Sequence, residues 1–126
     1  GTTSYTWLTV YRMYSVSTTT SAQDKIFLAR TGAGDPNFNL RSEPVYIIRS
    51  NSEPGSHLFA SCLETHGKYD LKVEQSANLD RSCEGIEVLK NEPELIEVRY
   101  LFKGEKTILL TLKIDEQNPQ YYLRYE

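Results

Sequence analysis

His57 and His66 are the two histidines of the sequence, and Cys62 and Cys83 are its two cysteines. Each histidine has carboxylates or a cysteine not far away, so metal ligation is the first chemistry to weigh. The spacing argues against it, because nothing matches the CxxC or HExxH patterns that bring ligands onto one side of an ion. Asp35, Asn37 and Asn39 alternate side-chain oxygens as part of a calcium loop does, but the bidentate Glu that would close such a loop is absent. No metal site and no cofactor are expected. Nucleophilic catalysis has no support either: there is no GxSxG, and Cys62 falls inside an apolar strand pattern that suits a packed thiol better than a reactive one. Glu43, Glu53, Glu64 and Asp70 could serve paired-carboxylate chemistry on a glycosidic bond, but such a surface normally carries as many, and their separation is not legible. The stretch "TGAGDP" lacks the Lys and Ser/Thr of a phosphate loop. Two cysteines suffice for one disulfide, and the sequence leaves open whether they meet.

Binding of an acidic sugar fits the residue types better. Arg or Lys would meet the carboxylates, Asn or Glu the hydroxyls, and aromatic rings the apolar sugar faces. Arg30, Asn37, Asn39, Arg41 and Arg49 occur near Phe38 and Tyr46, and Glu64, His66, Lys68 and Tyr69 make a second cluster. Each also has a plain structural reading. The arginines can end strands and pair with Glu43 or Glu53, a contact worth little at a surface. Asn37 and Asn39 can cap turns, Phe38 and Leu40 can plug a loop into the core, and His66 beside Gly67 can be a turn histidine.

The elements that must position these groups read as strands. Short apolar runs recur between clusters of Gly, Pro, Asn, Asp and Ser, with little helical periodicity. "YTWLTVYRMYSV", Tyr5 to Val16, alternates with apolar residues on both faces and reads as one strand covered on both sides. A Ser/Thr-rich link, "DKIFLAR", "PVYIIRS", the turn "NSEPGS", "HLFASCLE" ended by "THGKYD", and a short "DLKVEQ" follow. "ELIEVRYLF", the loop "KGEK" and "TILLTLKI" form a hairpin, with Ile96, Val98, Tyr100 and Phe102 facing Ile108, Leu110, Leu112 and Ile114; "DEQNPQ" then turns the chain into "YYLRYE". Roughly eight or nine short strands at this spacing predict an all-β fold, an antiparallel β-sandwich in a single domain over 1–126. A length of 126 residues suits one domain, and nine tyrosines suit half-buried strands. A net charge of -3 with no basic stripe disfavours nucleic acid. No apolar run approaches the roughly 20 residues of a membrane helix. The chain opens on Gly1-Thr2-Thr3, which is read as a piece of a longer protein.

The string Asp35-Pro36-Asn37-Phe38-Asn39-Leu40-Arg41, within "FLARTGAGDPNFNLRSEPVYIIR", and the later Glu64-Thr65-His66-Gly67 resemble the C-terminal region of heparinase II/III-like polysaccharide lyases, of the alginate and oligoalginate lyase type. Thr65 stands where relatives have a proline. The resemblance is best over about residues 5–75. It implies a β-sandwich that follows a catalytic α/α toroid, in a parent that cleaves uronate-containing polysaccharide by β-elimination. It also implies a periplasmic or secreted bacterial location. The catalytic groups would lie upstream of this chain, so the chain alone is expected to be inactive. Its partners would be the toroid of the parent chain and an acidic polysaccharide or oligosaccharide. The substrate-contact candidates are Glu64, His66, Tyr69, Asn37, Asn39 and Arg41, with bracing the expected role of the 37–41 loop. Two rivals stay open: a stand-alone carbohydrate-binding module using Trp7, Tyr46, Tyr69, Tyr121 and Tyr122, and a ligand-free interaction domain.

Overall fold

The computed structural model describes residues 1–32, 42–50, 57–115 and 117–125, and the statements below concern these. They form ten β-strands in antiparallel sheets and no helix. The chain divides into two compact units, Ser21–His57 and the remainder.

In the larger unit, two four-stranded sheets make a sandwich. The first has the order β1-β2-β5-β6, from Thr2–Thr9, Arg12–Thr19, Ser61–Asp70 and Gln75–Ala77. The second has the order β10-β9-β8-β7, from Gln120–Tyr125, Lys106–Lys113, Leu95–Phe102 and Cys83–Glu92. β7 packs against β2 and, more lightly, against β1 and β5. The core between the sheets is Ala60, Cys83, Ile86 and Val98, with Leu58, Cys62, Ile96, Tyr100 and Phe102 packed around it. The smaller unit contains the hairpin of β3 (Lys25–Gly32) and β4 (Ser42–Arg49), which pair in register from Lys25↔Arg49 to Gly32↔Ser42.

The tail hairpin forms as its alternation requires. Ile96 lies opposite Leu112, Val98 opposite Leu110 and Tyr100 opposite Ile108, so one face of both strands is apolar. Gly104 takes φ 76°, the left-handed conformation that a loop glycine permits.

Several elements differ from the sequence expectation. The single strand over Tyr5–Val16 is a tight hairpin, with Thr9 paired to Arg12 across Val10 and Tyr11. Val10 carries φ 55°, which a β-branched residue adopts rarely, so no Gly, Asn or Asp announces this turn. The Ser/Thr-rich link is the end of β2. Ser15, Ser17 and Thr18 are buried there because other groups satisfy their hydroxyls: Thr6, Ser4, and the Ala60 carbonyl.

The third difference is "THGKYD", which continues β5 rather than ending it. Met13 pairs with His66 and Arg12 with Lys68, leaving Gly67 as the extra residue of a β-bulge. Gly67 has φ 57°, and a Cβ there would lie 2.5 Å from the carbonyl oxygen of Asn78 and 2.9 Å from that of Ala77. "DLKVEQ" is correspondingly a turn leading into the three-residue β6.

Candidate functional site

The bulge decides which side chains of β5 point into the sandwich. Cys62, Glu64 and His66 alternate inward, and after the extra residue the half-buried position passes to Tyr69 while Lys68 is exposed. The inner face of the first sheet is therefore polar near β5, and each polar group there has a partner. No buried side-chain nitrogen or oxygen among the described residues is left unpaired.

Glu64 reaches across to the segment that enters β7. Its Oε1 accepts hydrogen bonds from the Ser82 amide at 2.7 Å and the Ser82 hydroxyl at 2.6 Å, and its Oε2 accepts the Cys83 amide at 2.9 Å. Burial pushes the Glu64 carboxyl up, but these donors and nearby His66 outweigh it and hold the group below its ordinary value. His66 is held from both ring nitrogens. Nε2 lies 2.7 Å from the hydroxyl of Ser15, and Nδ1 lies 3.3 Å from the carbonyl of Asn78. A carbonyl only accepts, so Nδ1 carries a proton; in the neutral ring Nε2 then accepts from Ser15, whose oxygen is 2.6 Å from Thr6 Oγ1.

Two of the proposed sugar-contact residues thus sit in fixed structural networks. Tyr69 shares their face of β5. Asn37, Asn39 and Arg41 lie outside the described residues, as do Asp35, Phe38 and Leu40 of the same loop.

The fold also brings together groups that sequence spacing did not. The thiols of Cys62 and Cys83 and a carboxylate oxygen of Glu64 all lie within 4.8 Å of one another. Both cysteines are free thiols. Burial, then the neighbouring Cys83 and Glu64, push the Cys62 thiol up to about 11. Cys83 is buried, its Sγ 3.8 Å from the Gly85 carbonyl, and its own carbonyl accepts from Arg81 Nε at 3.0 Å. The legible half of this cluster was Cys62 and Glu64, two apart on one strand and hence on one face. Cys83 joins only through the packing of β7 against the first sheet.

The aromatics of the carbohydrate-module reading fall on different elements. Trp7 is half-buried and stacked between Tyr5 and Tyr14, at 5.8 and 5.7 Å between ring centroids. Tyr121 and Tyr122 are successive residues of β10 and so point to opposite faces. Tyr122 lies on the outer face, where it lines a shallow groove with Leu109, Thr111, Lys113 and Arg124. Lys113 Nζ stands 5.7 Å from the Tyr122 ring centre.

An all-β sandwich with an inward polar network is the class that fold and site define. No family model matches the chain. Over 121 residues, 93% of its length, the chain is 30% identical to an exo-oligoalginate lyase of Saccharophagus degradans. Over 97 residues, 76% of its length, it is 35% identical to an alginate lyase of Stenotrophomonas maltophilia. It spans only 16% and 13% of those two proteins. The chain is thus related to a minor segment of alginate-degrading lyases.

Proposed function

We propose that this chain is the C-terminal β-sandwich module of a heparinase II/III-like alginate lyase, located in the periplasm or outside a bacterial cell. Its role is to support the catalytic toroid of a longer parent, which carries out β-elimination on a uronate polymer. The observation that carries this reading is the match itself: 93% of the chain aligns with a small part of an exo-oligoalginate lyase and 76% with a small part of an alginate lyase. The engagement of Glu64 and His66 by protein partners supports a bracing role over a catalytic one. Assay of alginate depolymerisation by the absorbance of its unsaturated product tests it. The isolated chain should release no product, and a parent polypeptide should lose activity or solubility when this segment is deleted. Turnover by the isolated chain, or a deletion without effect, contradicts the assignment.

A second reading has one specific observation in its favour. Lys113, Arg124 and Tyr122 on the outer face of β9 and β10 combine cations with an aromatic face, the chemistry an acidic sugar needs. In that case oligoalginate binds the isolated chain in a calorimetric titration, and Tyr122→Ala removes the heat. Silence in that titration leaves the support role alone.

A further inference from the structure

We propose that Cys62, Glu64 and Cys83 form a Zn²⁺ site that ties the two sheets of the sandwich together. It does not depend on the lyase reading. Two thiols and a carboxylate are a donor set that suits Zn²⁺, because soft sulfur ligands select it over magnesium or calcium. A tetrahedral ion with sulfur at about 2.3 Å and oxygen at about 2.0 Å places its ligand atoms roughly 3.5–3.8 Å apart. The three donor atoms already lie within 4.8 Å of one another, so small side-chain rotations close the set.

Three features suit the cluster to a cation. First, the carboxylate is already oriented. Ionised, it offers about four acceptor positions. Ser82 fills two on Oε1 and the Cys83 amide fills one on Oε2. The remaining lone pair of Oε2 is the one left for a ligand. Metal-bound carboxylates are commonly fixed by such outer hydrogen bonds. Second, the fold gathers the donors from two elements, Cys62 and Glu64 from β5 and Cys83 from β7. His66 is not a fourth ligand, since both of its nitrogens are engaged elsewhere. Third, Cys62 is half-buried while Cys83 is fully buried. Entry of the ion would be from the Cys62 side, with a water as fourth ligand.

Binding displaces a proton from each thiol, so the ion gains affinity as pH rises. The ligands come from β5 of one sheet and β7 of the other, so the ion is a cross-link between layers. The full 126-residue chain, purified with a phosphine reductant and stripped with a chelator, is the material for the test. One equivalent of Zn²⁺ should bind in calorimetry against a competing chelator, more tightly at higher pH, and raise the melting temperature. Co²⁺ in its place should show thiolate-to-metal charge-transfer absorption, and Zn²⁺ should shield the half-buried Cys62 thiol from a thiol reagent. Cys62→Ser or Cys83→Ser should abolish the charge-transfer band, and Ser82→Ala should weaken affinity by roughly tenfold to a hundredfold through the outer shell.

Circular dichroism and melting of each variant separate loss of ligand from loss of fold. The wild-type measurements decide the matter even if a serine variant misfolds. A folded wild-type chain with no cobalt–thiolate band overturns the site. So does Zn²⁺ binding that survives both serine substitutions. A chain isolated without reductant whose mass is lower by two hydrogens overturns it as well, since those cysteines would then be a disulfide.

Discussion

Glu64 shows what one side chain does in this sandwich: a single carboxylate gathers the Ser82 amide, the Ser82 hydroxyl and the Cys83 amide at the point where the chain enters β7. Gln cannot reproduce this, because its amide nitrogen would face one of the donors. Glu64→Gln, measured in chelator, should cost about 1–2 kcal/mol near neutral pH, the modest end of charged hydrogen bonds because the group is only half-buried. The pH dependence follows from the lowered carboxyl. Its contribution is fully present above the ordinary value of 4.5 and is lost as pH falls through the lower folded value. The gap between wild type and variant in urea unfolding should therefore shrink below pH 4.5. A constant gap across that range removes Glu64 ionisation as its cause. At this scale the sequence singled out Glu64 and His66 but not their work. Their partners stand far off in the chain: Ser82 is 18 positions from Glu64, and Ser15 is 51 positions from His66. No local pattern encodes such pairs.

Among the elements, β5 depends most on one residue. Gly67 is the bulge that moves Tyr69, rather than Lys68, onto the inner side of the strand. Gly67→Ala forces a Cβ to within 2.5 Å of a backbone oxygen in β6's exit, and it places alanine at φ 57°. The left-handed conformation alone costs about 1–3 kcal/mol for a residue with a side chain, and the clash adds to it. Thermal unfolding should show a loss of at least about 2 kcal/mol, and hydrogen exchange should speed up at Lys68–Asp70, where β6 detaches. A variant as stable as wild type removes the bulge geometry as a constraint. The hairpin of β8 and β9 was legible because strict alternation and a glycine loop agree with each other. The β1–β2 turn was not, since Val10 and Tyr11 carry no turn signature. No strand was expected at β7. Its ladder shifts register twice, between Cys83 and Gly85 and between Val88 and Lys90, which breaks the period-2 pattern that a sequence reading needs.

At the scale of the larger unit, the second sheet has an apolar face that outruns its cover. Its rows run Ile96–Leu112–Tyr121, Val98–Leu110–Leu123 and Tyr100–Ile108–Tyr125 across β8, β9 and β10. Val98 is 2% exposed, while Leu123 is 52% and Tyr125 75% exposed. Phe102, Ile108 and Tyr125 line a groove of about 410 Å³ on this side, edged by Lys103 and Lys106. An apolar row that continues past its buried end is the form a surface takes when it docks on something else. The relatives extend well beyond this segment, so under the proposed function the rest of a longer chain would supply the cover. The double substitution Leu123→Thr and Tyr125→Ser separates the two states. In the isolated chain it should cost no more than about 1 kcal/mol, because both side chains are at least half in water. It should also lower self-association in sedimentation. In a longer parent, the proposed support role expects the same pair to cost about 2–4 kcal/mol, since the side chains would be buried there. Equal small effects in both would mean that β10 faces solvent in the parent too. The support role would then have to rest on another surface of the sandwich.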